Sequence, residues 1–268
     1  MLFRSLKDFG NELEKIITIM DEGFNDRGRY DISSQVYASD LYDDLQIVKH
    51  YTEKIPDANI LDFGCGKGHI TALLSKILEK RIEGVDLYES FGEGSKYNVE
   101  TMGSKWQNQV WDRLKKDYNV EYSYYDGNQV NVPDGTYDDV VAYAVIEHVE
   151  DEVKFLKEAH RLLKKGGYLF IYRCPSVHSY TENLAKVLGL PHHPRLYTSK
   201  ILTDLFVSNG YDIEKLEKYD SYFAFSPIKS LQPLWNVFMS VHLIFRRILM
   251  LPPFNYFAHH FRAVLIKI

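Results

Sequence analysis

The stretch that most constrains this chain runs from Asn59 to Ile70, Asn-Ile-Leu-Asp-Phe-Gly-Cys-Gly-Lys-Gly-His-Ile, with an apolar-periodic segment behind it. Ile60 and Leu61 read as the end of a buried strand, and Thr71 to Leu78 as the helix that follows. Gly64, Gly66 and Gly68 stand at alternate positions between them. Glycines so placed remove Cβ atoms from a tight turn, and backbone N–H groups at a helix N-terminus then come up against a polar ligand. A cofactor is expected there.

Spacing decides which cofactor. A dinucleotide fingerprint is G-x-G-x-x-G, and where its third glycine would fall this chain has His69. What stands instead is Asp62-x-Gly64-x-Gly66-x-Gly68, with an acidic residue, Asp86, ending the next strand-like run, Arg81 to Asp86. The pair resembles the first two motifs of class I S-adenosylmethionine-dependent methyltransferases, and the resemblance runs from about Ile55 to Arg173. It implies a doubly wound α/β fold, a seven-stranded and mostly parallel sheet flanked by helices, with S-adenosyl-L-methionine as cofactor. It further implies that Asp62 and the glycine turn, Cys65 included, face the methionine moiety. Asp86, with Leu87 beside it, would hold the ribose hydroxyls, as a carboxylate at a strand's C-terminal edge can.

Further along, Val120 to Tyr124 alternates as a strand does and leads into Tyr125-Asp126-Gly127. The resemblance gives Asp126 the adenine amino group, with a backbone N–H from Gly127; Asp-Gly is also an ordinary turn signal. The run Val140 to Ala144 reads as a buried central strand, and Glu147-His148-Val149 follows it. By resemblance Tyr143 and Ala144 border the sulfonium end of the cofactor, and His148 lies near the acceptor pocket. A lone histidine at a helix start is as readily a structural one, and both readings stand.

Residues 1–54 read as helices ahead of the sheet: Phe9, Leu13, Ile16, Ile17 and Met20 recur at helical spacing, as do Leu41, Leu45, Val48 and Tyr51. By resemblance they form a lid over residues 55–268, the methyltransferase domain, and Tyr37, Arg29 and Tyr30 become lid contacts; the alternative for the polar turn between the helices is a solvated linker. Tyr168 to Tyr172 reads as a fifth strand, followed by the loop on which acceptor choice depends in this family. That loop offers His178, Tyr180 and then Pro191-His192-His193-Pro194-Arg195-Leu196-Tyr197. Prolines around two histidines make a stiff loop carrying polar groups. Acceptor binding with one histidine as base, and a plain surface loop, are both open. Two adjacent histidines are too few ligands for a metal, so none is expected.

Ser221 to His260 is an insertion before the last strand, and its centre, 233–251, is strongly apolar. On a helix, Asn236, Ser240 and Arg247 form one narrow polar stripe, opposite Leu234, Val237, Phe238, Val241, Phe245 and Ile248. The run is too short to span a membrane. It fits a helix packed on its own domain, a homodimer contact, or an interfacial helix that meets membrane or covers a greasy acceptor.

Composition closes off other classes. A net charge of −5 offers no basic face for nucleic acid. Two cysteines, Cys65 and Cys174, are too few for a disulfide framework, and no signal-like segment opens the chain, so a cytoplasmic protein is expected. The expected activity is methylation of a small or amphiphilic acceptor, at a hydroxyl oxygen, with His148, His192 and His193 as candidate bases and Tyr37, His178, Tyr180, Arg195 and Tyr197 as acceptor contacts. N- or C-methylation, a nicotinamide-dependent oxidoreductase and a catalytically silent partner-binding homologue are the rivals.

Overall fold

The computed structural model describes residues 6–21, 32–87, 104–189, 192–220 and 254–268, with residues 237, 241, 245, 248 and 251 between the last two segments. Arg29, Tyr30 and most of the apolar insertion lie outside them. The elements in order are α1 Leu6–Asp21, α2 Ile32–Thr52, β1 Ile60–Phe63, α3 His69–Leu78, β2 Ile82–Leu87, α4 Ser104–Asp117, β3 Val120–Tyr125 and β4 Tyr137–Tyr143. Then come α5 Glu152–Leu162, β5 Leu163–Pro175, α6 Tyr180–Val187, α7 Ser199–Ser208, β6 Tyr211–Tyr219 and β7 His260–Lys267.

The strands form one seven-stranded sheet in the order β3-β2-β1-β4-β5-β7-β6, parallel except for β7, which runs antiparallel to both β5 and β6. Both faces are covered, which explains the unbroken apolar run in β4. Val141 and Tyr143 pack with Phe170 and Tyr172 beneath α1, α2 and α3, while Val140 and Ala142 pack with Leu169 and Ile171 beneath α5 and α7. Phe9, Leu13, Ile16, Leu41, Leu45 and Val48 are fully buried, so the helical spacing of the N-terminal segments marks their inner faces.

Helix starts follow ordinary capping chemistry. Asp151 accepts from the N–H groups of Val153 and Lys154, and Thr198 Oγ1 accepts from Ile201 N at 3.1 Å. α6, Tyr180–Val187, is capped by Ser179 and occupies part of the segment expected to be loop, while His192 to Tyr197 lies outside helices. β5 also begins earlier than Tyr168, because Leu163 pairs with Tyr137 across an irregularity in the β4 register. Among the described residues no helix is long and apolar enough to cross a membrane.

Candidate active site

Every parallel strand ends on the same edge of the sheet, and β1 lies between β2 and β4, where the winding direction reverses. Ligands of such sheets bind outside that edge. Here the edge carries, from one side to the other, Asp126 after β3, Asp86 in β2, the glycine turn after β1, Tyr143 and Ala144 at the end of β4, Arg173 in β5, Asp220 after β6 and His260 at the start of β7.

At the glycine turn the backbone does the work. Gly68 caps α3 at φ +83°, and a Cβ there would lie 2.8 Å from the Tyr122 ring, whose hydroxyl donates to Gly68 O at 2.8 Å. Among the described residues, a Cβ on Gly66 would meet nothing nearer than Asp86 Oδ2, at 3.8 Å, so the space beside this residue opens onto that carboxylate. Asp86 is fixed from below: Gly66 N donates to Oδ2 at 2.5 Å and Leu87 N to Oδ1 at 2.7 Å. Gln107 Nε2 and Trp111 Nε1, both from α4, donate to Gly66 O at 2.7 and 3.1 Å, and Tyr124 OH donates to Gln107 Oε1 at 3.0 Å. Leu87 approaches Gly127 closely, since a Cβ on Gly127 would stand 3.0 Å from Leu87 Cδ2.

Asp62 is buried, accepts from Thr71 Oγ1 at 2.6 Å, and is pushed up to about 7 by burial, with Asp86 adding to the rise. Cys65 is buried next to it as a free thiol, raised by burial. Tyr37 of α2 reaches the first residue of α3, its hydroxyl 3.3 Å from His69 Nε2, while the Arg173 guanidinium lies over its ring at 5.4 Å. Asp126 is exposed and closes its own turn, accepting from Asn128 N at 2.8 Å and Gln129 N at 3.3 Å; these bonds, Asn128 first, hold its carboxyl below the usual range.

Beyond β4 the chain turns sharply. Ala144 has φ +55°, a conformation that costs a residue with a Cβ about 1–2 kcal/mol, and is held by donating to Tyr172 O at 3.1 Å. Val145 to Val149 then closes a turn that buries Glu147 to 1% exposure and leaves His148 exposed. Both carboxylate oxygens of Glu147 lack a hydrogen-bond partner among the described residues, and burial pushes the group up to about 7. His148 Nε2 lies 3.7 Å from Glu147 Oε1, and the His148 and His193 ring centres are 5.6 Å apart.

His193 is clamped by Glu182 of α6, its Nδ1 2.8 Å from Oε1 and its N–H donating to Oε2 at 2.9 Å. Burial works against a charged ring, yet the Glu182 bond holds His193 above its ordinary value. His192, its neighbour in sequence, is exposed. Arg195 ties the loop to the turn after β4, donating to Val149 O and, at 2.7 Å, to Glu150 O. Tyr197 is buried and donates to Glu152 Oε1 at 2.6 Å. His178 stacks near Tyr256 at 4.8 Å, and Tyr180 near His259 at 4.7 Å.

A buried polar network backs this cluster. Asp220 receives Arg173 Nη2 at 3.0 Å and His260 Nδ1 at 2.8 Å, and Arg173 N donates to Tyr219 OH at 3.2 Å. Tyr219 OH in turn donates to Asp44 at 3.2 Å, where Arg262 Nη1 donates at 3.0 Å. The sequence reading missed Glu147, Glu182, Arg173, Asp220, His260, Gln107 and Trp111 as site residues. For Arg173, Asp220 and His260 a signal existed: each borders a strand end on the ligand edge.

A family model described as a methyltransferase domain matches residues 61–171, which hold the glycine turn, Asp86 and the turn with Glu147. Residues 61–171 thus form a methyltransferase domain by similarity. The chain is 26% identical over 156 residues to a "probable S-adenosylmethionine-dependent methyltransferase" of Mycolicibacterium smegmatis, covering 58% of this chain and 52% of that protein. Against a ubiquinone biosynthesis O-methyltransferase of Pelagibacter ubique it is 26% identical over 222 residues, with 77% and 85% covered. The magnesium protoporphyrin IX methyltransferase of Synechocystis PCC 6803, solved with bound SAH, superposes with a TM-score of 0.58 at 12% identity, with 97% of each chain covered. The chain spans about half the length of the first curated relatives it matches. The methyltransferase cofactor, S-adenosyl-L-methionine, fits the residues present: open space beside Gly66, a carboxylate at the end of β2 and a buried carboxyl at Asp62 supply the cradle that a diol and an ammonium group require.

Proposed function

We propose that this methyltransferase modifies a hydroxyl oxygen of a small or amphiphilic acceptor. Bound across the strand ends, S-adenosyl-L-methionine supplies a methyl group carried on a positively charged sulfur. Asp86 and the Gly66 backbone hold the ribose, Asp62 answers the ammonium group, Asp126 and Gly127 border the adenine, and Tyr143 and Ala144 border the sulfur. Helices α1 and α2 serve as the lid, with Tyr37 reaching between the turn and the acceptor side.

The observation that carries the choice of oxygen is the cluster of Glu147, His148 and His193 beyond Ala144. An alcohol or phenol is a poor nucleophile until its proton is drawn away, whereas a neutral amine needs no such help. His193 has Nδ1 committed to Glu182 at 2.8 Å, which leaves Nε2 for another partner, and one of its ring nitrogens lies within 4.8 Å of a ligand atom of His148 and of Glu147. Two imidazole nitrogens beside a buried carboxylate are suited to lowering a hydroxyl's hold on its proton. The O-methyltransferase name of the Pelagibacter relative supports the same reading. An amphiphilic acceptor is supported by Val237, Val241, Phe245 and Ile248, helical residues three or four apart and 47–61% exposed, which also suit peripheral membrane contact.

The test is a panel of phenols, amines and lipid-linked alcohols incubated with the cofactor and read by mass spectrometry. Methyl ethers are the expected products. Methylated amines alone would refute the oxygen assignment, and tight cofactor binding without any product across the panel would favour a partner-binding module.

A further inference from the structure

We propose that Glu147, His148 and His193 hold a divalent transition-metal cation of the zinc class at the acceptor end of the site. One ligand atom from each of the three lies within 4.8 Å of the others. Ligands around a common ion at about 2.1 Å from it stand roughly 3.4 Å apart, so modest side-chain rotation closes the set. His148, 44% exposed at its side chain, has room to make that rotation.

Three features point to a cation rather than to a bare base. Glu147 is buried to 1% exposure with neither oxygen hydrogen-bonded among the described residues. A base formed by His193 and Glu182 has no use for a second, unpartnered carboxylate, whereas a metal supplies the charge that burial denies it. The second feature is Glu182. A metal-ligating histidine characteristically donates its other ring N–H to a carboxylate, which fixes the tautomer and aims the free nitrogen at the ion. His193 Nδ1 and Glu182 Oε1, 2.8 Å apart, form that pair, leaving Nε2 as the ligand. The third is the donor set: two imidazoles and one carboxylate suit zinc, iron, cobalt or manganese better than calcium or magnesium, and three protein ligands leave a coordination position for another molecule. The histidine pair His192–His193 could not supply this set; its missing members come from residues 147 and 148, on the far side of β5.

The site stands without reference to methyl transfer, but its role rests on the oxygen reading above. An acceptor hydroxyl filling the open position is polarised by the cation. Its O–H bond then breaks, the proton leaves to solvent water, and the electron pair stays on oxygen for the bond to the methyl carbon.

The test uses the full chain, stripped with a chelator and titrated with zinc chloride by calorimetry, with manganese chloride as comparison. One zinc per chain is expected. Glu147→Gln, nearly isosteric, is expected to weaken zinc at least tenfold, and Glu182→Gln by roughly 10- to 100-fold, while S-adenosylhomocysteine affinity stays the same in both. His148→Ala, at an exposed position, keeps the test usable if Glu147→Gln fails to fold. Absence of zinc binding, or equal affinity in the parent and the variants, overturns the proposal. Zinc bound by a chain that methylates only amines keeps the site and refutes the oxygen reading; methyl ethers formed at full rate in chelator keep the oxygen reading and refute the cation's role.

Discussion

The two ends of the proposed site are built on different principles. At the cofactor end, the single run Asn59 to Ile70 supplies the turn, and backbone groups do most of the contacting: Gly66 N, Leu87 N and the glycine turn around a single carboxylate. At the acceptor end almost everything is side chain, drawn from the β4 turn, α6, the loop before α7 and the starts and ends of β5, β6 and β7. A backbone site tolerates little change at a few positions, and the side chains that reach it from elsewhere, Gln107, Trp111 and Tyr122, bond its carbonyls. A side-chain site is open to replacement residue by residue. The lesson is that one fold keeps its cofactor while changing its acceptor, because only the second is built from parts that can be swapped singly.

The sharpest way to break this contrast is to put a side chain into the backbone half. Gly68→Ala forces a Cβ to 2.8 Å from the Tyr122 ring at φ +83°. The positive φ alone costs about 1–2 kcal/mol, and the clash adds to it, so a lower melting temperature and loss of measurable S-adenosylhomocysteine binding are both expected. A variant that melts and binds like the parent would mean the turn is not the cradle. Next in size is His193→Ala, expected to lower turnover by about 100-fold while leaving cofactor affinity within a factor of two. Equal losses in both would erase the division between the two ends.

Asp86→Ala probes the side chain that the Gly66 and Leu87 N–H groups hold at the end of β2. A hydrogen bond to a charged group is worth about 1.5–3 kcal/mol, so S-adenosylhomocysteine should bind roughly 10- to 150-fold more weakly, with the chain still folded by circular dichroism. Unchanged affinity in calorimetry would remove Asp86 from the ribose position.

The same contrast explains what could be seen in the sequence. The glycine turn, the acidic residue at the end of the second strand and the succession of individual strands and helices were legible because each is a local pattern, whereas the sheet they form was implied by resemblance alone. The acceptor end was legible only in fragments. Glu147 and His148 stand together in the chain, but nothing local says that residue 193 closes on them, or that Glu182 fixes its ring. Adjacency misled at Pro191 to Pro194: His192 and His193 look like a pair, yet one is exposed and the other half-buried against Glu182. α6 was hidden because its cap, Ser179, sits within a segment read for its polar groups rather than its periodicity. On α4, no local motif marks Trp111, the residue whose indole reaches Gly66 O.

The smallest expected effect is a pH dependence confined to the cofactor end. Burial raises Asp62 to about 7, so in the free protein its carboxyl is largely protonated below neutrality. A carboxyl raised in the fold contributes stability that is greatest below the ordinary carboxyl range and is lost as pH rises through about 7. In the proposed pose the cofactor's ammonium group acts in the opposite sense, because it is attracted to the ionised carboxylate and draws its pKa back down. S-adenosylhomocysteine affinity should therefore rise with pH, by up to about tenfold between pH 6 and pH 8. Asp62→Asn cannot ionise, so in that variant the slope should flatten while the affinity settles near the parent's low-pH value. A slope that survives the substitution would assign the titration to another group and take Asp62 out of contact with the ammonium. Since the acceptor end shares no titrating group with Asp62, zinc affinity measured on the same variant should match the parent's, and a shared change would show that the two ends are one coupled site.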